Sequence, residues 1–175
     1  MRGYAERMTT LVLTLVGDDR AGIVAAVAAA VDAAGGNWED SELAELGGAF
    51  AGIVQVSVPG ERADALRAAL GAIEGIVTVA VPASAATPDA AARRVTVEIL
   101  GNDRPGIVRE ISAALHAHGL SIERMATETR DAAMAGGRLF EAAVSAVGPA
   151  ALDADLLRTE LERLAAEIQV DITVV

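Results

Sequence analysis

Leu11, Leu13 and Leu15 alternate with Val12, Thr14 and Val16, so the first clear pattern in the chain has a period of two and is apolar on both sides. It predicts a strand buried mostly on both faces. The period then changes: Ile23, Val27, Val31 and Ala34 recur at helical spacing, and Gly35-Gly36 ends that helix. A second strand is expected over Asn37 to Leu46, followed by a tight hairpin turn at Gly47-Gly48. Phe50 to Val58 reads as a third strand with Val54, Val56 and Val58 on one face, closed by Pro59-Gly60. Leu66, Leu70 and Ile73 stripe a second helix, and Val77, Val79 and Val81 alternate as a fourth strand. The order is β-α-β-β-α-β.

The chain then repeats this plan. Gly17-Asp18-Asp19-Arg20-Ala21-Gly22-Ile23-Val24 returns as Gly101-Asn102-Asp103-Arg104-Pro105-Gly106-Ile107-Val108, each position displaced by 84. Val95, Val97 and Ile99 predict the strand before it, Ile107, Ile111 and Leu115 the helix after it, and Gly119 the stop. Ser121 to Arg130 should be a strand, Phe140 matches Phe50 in the next, and Leu157, Leu161, Leu164 and Ile168 line the last helix before Val170, Ile172 and Val174. Phe140 lies 90 residues beyond Phe50, so the second copy carries about six extra residues at its hairpin, around 131–138. Residues 1–9 read as a tail, 10–82 as the first domain, 83–92 as a linker with proline and alanine but no period, and 93–175 as the second domain. The fold class is α+β: two ferredoxin-like units, each an antiparallel sheet with two helices on one face. Their edge strands would let two units pair side by side.

Composition narrows the chemistry. The net charge is −11 and the pI about 4.5, which argues against direct nucleic-acid binding and against anionic membranes. There is no Cys, and all fourteen basic residues are Arg, so thiolate sites, disulfides and lysine Schiff-base chemistry are excluded. His116 and His118 stand two apart on a helix and cannot form a metal pair; in the last turn they complement the helix C-terminus. No Ser–His–acid spacing or phosphate loop is present. No catalytic residue, metal or cofactor is expected, and a cytoplasmic protein is the default reading.

The repeated turns remain as candidate sites. Gly22 and Gly106 open helices and leave backbone N–H groups bare for a carboxylate, or simply let the helix pack closely. Asp19 and Asp103 suit a ligand ammonium group or a local capping role. Arg20 and Arg104 suit a carboxylate or a neighbouring acid. Asn37 follows the glycine stop, where a turn alone would explain it, and Trp38 is read as a core or edge residue rather than an interface anchor.

The Asp-Arg-Pro-Gly-Ile-Val turn at 103–108, the segment Gly35-Gly36-Asn37-Trp38-Glu39-Asp40-Ser41, and Gly47-Gly48-Ala49-Phe50 resemble tandem ACT domains. The element order and long second hairpin look most like the glycine cleavage system transcriptional repressor group. The resemblance implies sensing of an amino acid, such as glycine or serine, at interfaces between paired ACT units. It further implies a homodimer and a partner protein, either a transcription factor or a metabolic enzyme. In amino-acid-binding members an Asn or Asp in the first turn is followed eighteen residues on by an Asn. Asp19 and Asn37 keep that spacing, and Asp103 and Ser121 keep it with Ser in place of Asn. The implied ligand-binding set is Asp19, Arg20, Ala21, Gly22, Ile23 and Asn37, with Asp103, Arg104, Pro105, Gly106, Ile107 and Ser121; Ala21 stands where Pro is usual. The alternative is a scaffold module without a small-molecule ligand. An ACT-containing enzyme such as a formyltetrahydrofolate deformylase would need a catalytic domain as well, and the chain closes on its last strand, so no enzyme is expected.

Overall fold

The structure is a computed structural model that describes residues 7–83, 91–131, 137–168 and 170–174. The chain divides into two compact units, residues 1–86 and 87–175. The first runs β1 (Met8–Asp18), α1 (Ile23–Ala33), β2 (Asn37–Leu46), β3 (Ala49–Pro59), a 3-10 turn, α2 (Ala63–Gly71) and β4 (Ile76–Pro82). The second repeats it as β5 (Arg93–Asn102), α3 (Ile107–Ala117), β6 (Ser121–Asp131), β7 (Arg138–Gly148), α4 (Ala154–Ile168) and β8 (Val170–Val174). Each unit has its own four-stranded antiparallel sheet, in the order β2-β3-β1-β4 and β6-β7-β5-β8.

The core of the first unit forms where the two periodicities meet. Leu11, Leu13 and Leu15 from β1 and Val54, Val56 and Val58 from β3 are fully buried against Ile23, Val27 and Val31 of α1 and Leu66 and Leu70 of α2. Each such side chain contributes roughly 1.5–3 kcal/mol by leaving water. Trp38, on the edge strand β2, is half-buried against this core, in line with its reading as a core or edge residue. The second core is built alike from Val97, Ile99, Ile111, Leu115, Val144, Leu157 and Leu161, with Met125 packed against it. Gly47 and Gly48 both take positive φ, 61° and 86°, as a two-residue hairpin turn requires.

Two expectations change. β1 is buried on one face only: Val16 is 48% exposed and Thr14 exposed, while the leucines face the helices. In β4 the inward positions belong to Ile76, Thr78 and Ala80, and Val77, Val79 and Val81 point outward. Both helices cover the same side of the sheet, so alternation that is apolar on both sides does not mean two covered faces. Most of the linker and of the long second hairpin, residues 84–90 and 132–136 with Met134, lie outside the described residues, as does the side chain of Ile168.

The second half also contains contacts that spacing did not show. His118, at the end of α3, places Nε2 2.9 Å from Glu160 Oε2 on α4, so it ties two helices together besides sitting at a C-terminus. Both sheets bulge at equivalent places, between Trp38 and Asp40 and between Ile122 and Arg124. The extra residue in each is a glutamate, Glu39 or Glu123.

Candidate functional site

The two Asp-Arg turns share a backbone. Asp19 N–H donates to the Gly48 carbonyl and Asp103 N–H to the Arg138 carbonyl, both at 2.8 Å, which ties each turn to the neighbouring hairpin. Gly22 and Gly106 then serve as helix N-caps in the left-handed region, at φ 92° and 97°. No side chain caps either helix, so the capping role considered for Asp19 and Asp103 is not the one they play. The first-turn N–H groups of α1 and α3 therefore converge on a spot above each glycine, with the positive end of the helix behind them. Ile23 and Ile107 bury their side chains at 2% exposure and offer that spot only backbone. Ala21 and Pro105 are exposed on its rim.

The surroundings differ. Above Gly22, nothing lies within 4 Å of where a Cβ would stand; above Gly106, Glu110 Oε1 lies 3.2 Å from it, with Arg109 and Arg104 nitrogens at 3.5 and 3.6 Å. Glu110 is fixed there by Arg104, whose Nη2 donates to Oε2 at 2.5 Å, and by Arg109 at 3.3 Å. The Arg104 hydrogen bond holds the Glu110 carboxyl below the usual carboxylate range. The residue 84 positions earlier is Ala26, so the first turn has no counterpart of Glu110. Arg20 is turned away, donating to the Glu74 carbonyl and lying against Gly75. The first turn is open; the second is filled from within. Glu110 could have been noticed as the departure from the repeat in the first helical turn.

Asn37 stands elsewhere. It pairs with Ser57, which pairs in turn with Thr10 near the start of β1, whereas Asp19 follows the end of that strand. Eight residues of strand separate the two levels, about 26 Å. Asn37 donates its amide to Glu39 at 3.1 Å, and Ser57 Oγ donates to the same oxygen at 2.5 Å. These two bonds, Ser57 foremost, lower the Glu39 pKa. The counterpart Glu123 is lowered by its hydrogen bond from Arg94. Ser121, exposed at the start of β6, occupies the position of Asn37 in the second unit. Within one unit the turn and Asn37 therefore cannot touch the same free amino acid.

A shallow groove of about 610 Å³ lies on the outer face of the second sheet, lined by Glu98, Glu128, Glu141 and Asp171 with Leu100 and Ala143. Among the described residues no group of His, Asp and Glu is placed to hold a metal ion, and no helix is long and apolar enough to cross a membrane.

Comparison with known proteins gives the fold its relatives. Residues 9–74 and 95–166 each match the ACT domain family. The chain is 28% identical over 161 residues to the glycine cleavage system transcriptional repressor of Escherichia coli, covering 90% of this chain and 85% of that protein. A crystal structure of a protein of unknown function from Galdieria sulphuraria is 33% identical, with a TM-score of 0.86 over 96% of this chain and 98% of the other. A structure described as a candidate glycine cleavage system transcriptional repressor matches at 22% identity and a TM-score of 0.64, covering 96% of each chain.

Proposed function

Since the chain belongs to the ACT-domain family and carries two such domains in tandem, we propose that it is a non-catalytic regulatory protein that senses a free amino acid. Glycine and serine are the first candidates. The amino acid binds in the cytoplasm where ACT units meet, and the resulting arrangement is read by a partner protein that controls amino-acid metabolism, through transcription or through an enzyme. The similarity to the Escherichia coli repressor over nine-tenths of the chain supports the regulatory part of this reading. The acidic net charge of −11 favours a protein partner over DNA as the direct contact.

One observation carries the site: the uncapped, open helix start at Gly22, with Asp19 three residues before it in the same turn. The ligand carboxylate takes the first-turn N–H groups and its ammonium group takes Asp19. The distance from Asp19 to Asn37 supports placement between units, because an Asn37-type amide can join the same ligand only from a second unit. Ala21 and Ile23 complete the proposed set at the first turn, where Arg20 would have to leave the Glu74 carbonyl to join them; Asp103, Arg104, Pro105, Gly106, Ile107 and Ser121 form the second set, the weaker binder because Glu110 fills its turn.

A thermal-shift panel of the common amino acids at millimolar concentration tests this. A ligand at about 100 times its Kd adds roughly 2.7 kcal/mol, a rise of several degrees in a chain of this size. The expected result is one responding class, with the response lost in Asp19→Ala. A flat panel would overturn the sensor reading in favour of a scaffold without a small ligand.

A further inference from the structure

The two bulge glutamates stand at equivalent places in their sheets, and the two units answer them differently. In the second unit Arg94 reaches past Val147 to Glu123 and grips it with a fork of two donors: Nε donates to Oε2 at 3.0 Å and Nη2 to Oε1 at 3.4 Å. The position 84 residues before Arg94 is Thr10, a short exposed side chain in the same register beside Ser57. Glu39 therefore has no such arginine. Ser57 Oγ and Asn37 Nδ2 both donate to one of its oxygens, Oε1, and among the described residues no cation stands beside it. Those two bonds hold the carboxyl below the usual range, so its charge is kept at neutral pH. A Cβ on Gly36 would stand 2.7 Å from the Ser57 carbonyl, so a bare glycine is what lets the start of β2 lie against Ser57.

We propose that the bulge of β2 is a binding site for a guanidinium group brought by another molecule, held by Glu39 together with Asn37 and Ser57. The chain carries its own template: Arg94 shows which group the same bulge accepts, and Thr10 leaves that place open. An exposed pair such as Arg94 and Glu123 adds little stability. Folding alone therefore does not explain why the first unit keeps its glutamate ionised and pinned without the arginine. The hydrogen-bonding inventory agrees. With its amide N–H committed to Glu39, Asn37 presents Oδ1, and Glu39 presents Oε2, so the open side offers acceptors. A guanidinium carries donors only, in a planar fork that matches a carboxylate, whereas an ammonium lacks the fork. The net charge of −11 draws cations toward the surface. The group can arrive on free arginine or on an arginine side chain of a partner protein. The site lies about 26 Å from the turn at Gly22 and stands whether or not that turn senses an amino acid.

Titration of the full chain with N-acetyl-argininamide, followed by amide NMR, tests this. Capping removes the carboxylate and the ammonium group, so this probe cannot use the turn at Gly22. Saturable shifts should appear around Asn37, Glu39 and Ser57. Glu39→Gln, at an exposed position, should weaken binding more than about tenfold with unchanged circular dichroism. Thr10→Arg should do the same while keeping Glu39, because the new side chain fills the site from within as Arg94 does. N-acetyl-lysinamide should bind at least about fivefold more weakly. Equal affinity for capped and free arginine would support a site that reads a side chain, as on a partner protein. Tighter binding of free arginine, still lost in Glu39→Gln, would support a site that reads the free amino acid. The absence of saturable shifts at these residues would overturn the proposal. So would binding that survives Glu39→Gln or Thr10→Arg, or capped lysine binding as tightly as capped arginine.

Discussion

Gly22 and Gly106 hold nearly the same φ in different surroundings, and that difference separates their substitutions. Gly22→Ala meets open space, so its cost is the left-handed backbone alone, about 1–2 kcal/mol. Gly106→Ala pays the same strain and also displaces Glu110, so urea unfolding should show it to be the more damaging of the two. The Glu110 carboxyl, held low by Arg104, makes its own prediction. The folded state favours the ionised form, so this contribution is complete above the ordinary carboxylate pKa and is lost as pH falls through the lowered value in the fold. Glu110→Gln should therefore be less stable than wild type at neutral pH, with the gap closing only below about pH 4 in pH-resolved melts. Glu110→Ala should also empty the second turn. Titration calorimetry with an amino acid that binds wild type should then show more ligand bound per chain; an unchanged stoichiometry would mean that Glu110 is not what fills the site.

At the scale of elements, the sequence was readable where one physical cause dominates. Helical stripes, glycine stops and the hairpin at Gly47-Gly48 all follow from local preferences, and each element was expected close to where it formed. The repeat made the two turns legible as a pair. The outward direction of Val77, Val79 and Val81 was not, because a period of two says that faces differ without saying which is covered. Nor was the filling of the second turn, since Glu110 reaches back through an ion pair that only the folded turn creates. The spread between Asp19 and Asn37 was hidden for a similar reason: eighteen residues that span a helix end at the far side of the sheet. The link from His118 to Glu160 is another contact between elements. His118→Ala should cost about 1 kcal/mol of stability by losing a half-buried hydrogen bond, and His116→Ala, exposed, should be nearly silent in denaturant unfolding.

For the molecule as a whole, two separate cores predict separable energetics. Leu13→Ala and Leu115→Ala each remove a fully buried side chain from a different cluster and should each cost about 2–5 kcal/mol. A double-mutant cycle should show coupling below about 0.5 kcal/mol; a larger value would mean that the cores do not act independently. The turns set the form of the response. With the start of α1 open and that of α3 filled by Glu110, a chain acting as a sensor takes its main input at the first turn. Its occupancy climbs along a plain hyperbola, so it reports concentration in a graded way and does not trip at a threshold. Any steepness in the regulatory curve must then come from copies acting together. A single carboxylate, by filling one of two twin turns, would thus decide whether the cell reads this protein as a dial or as a switch.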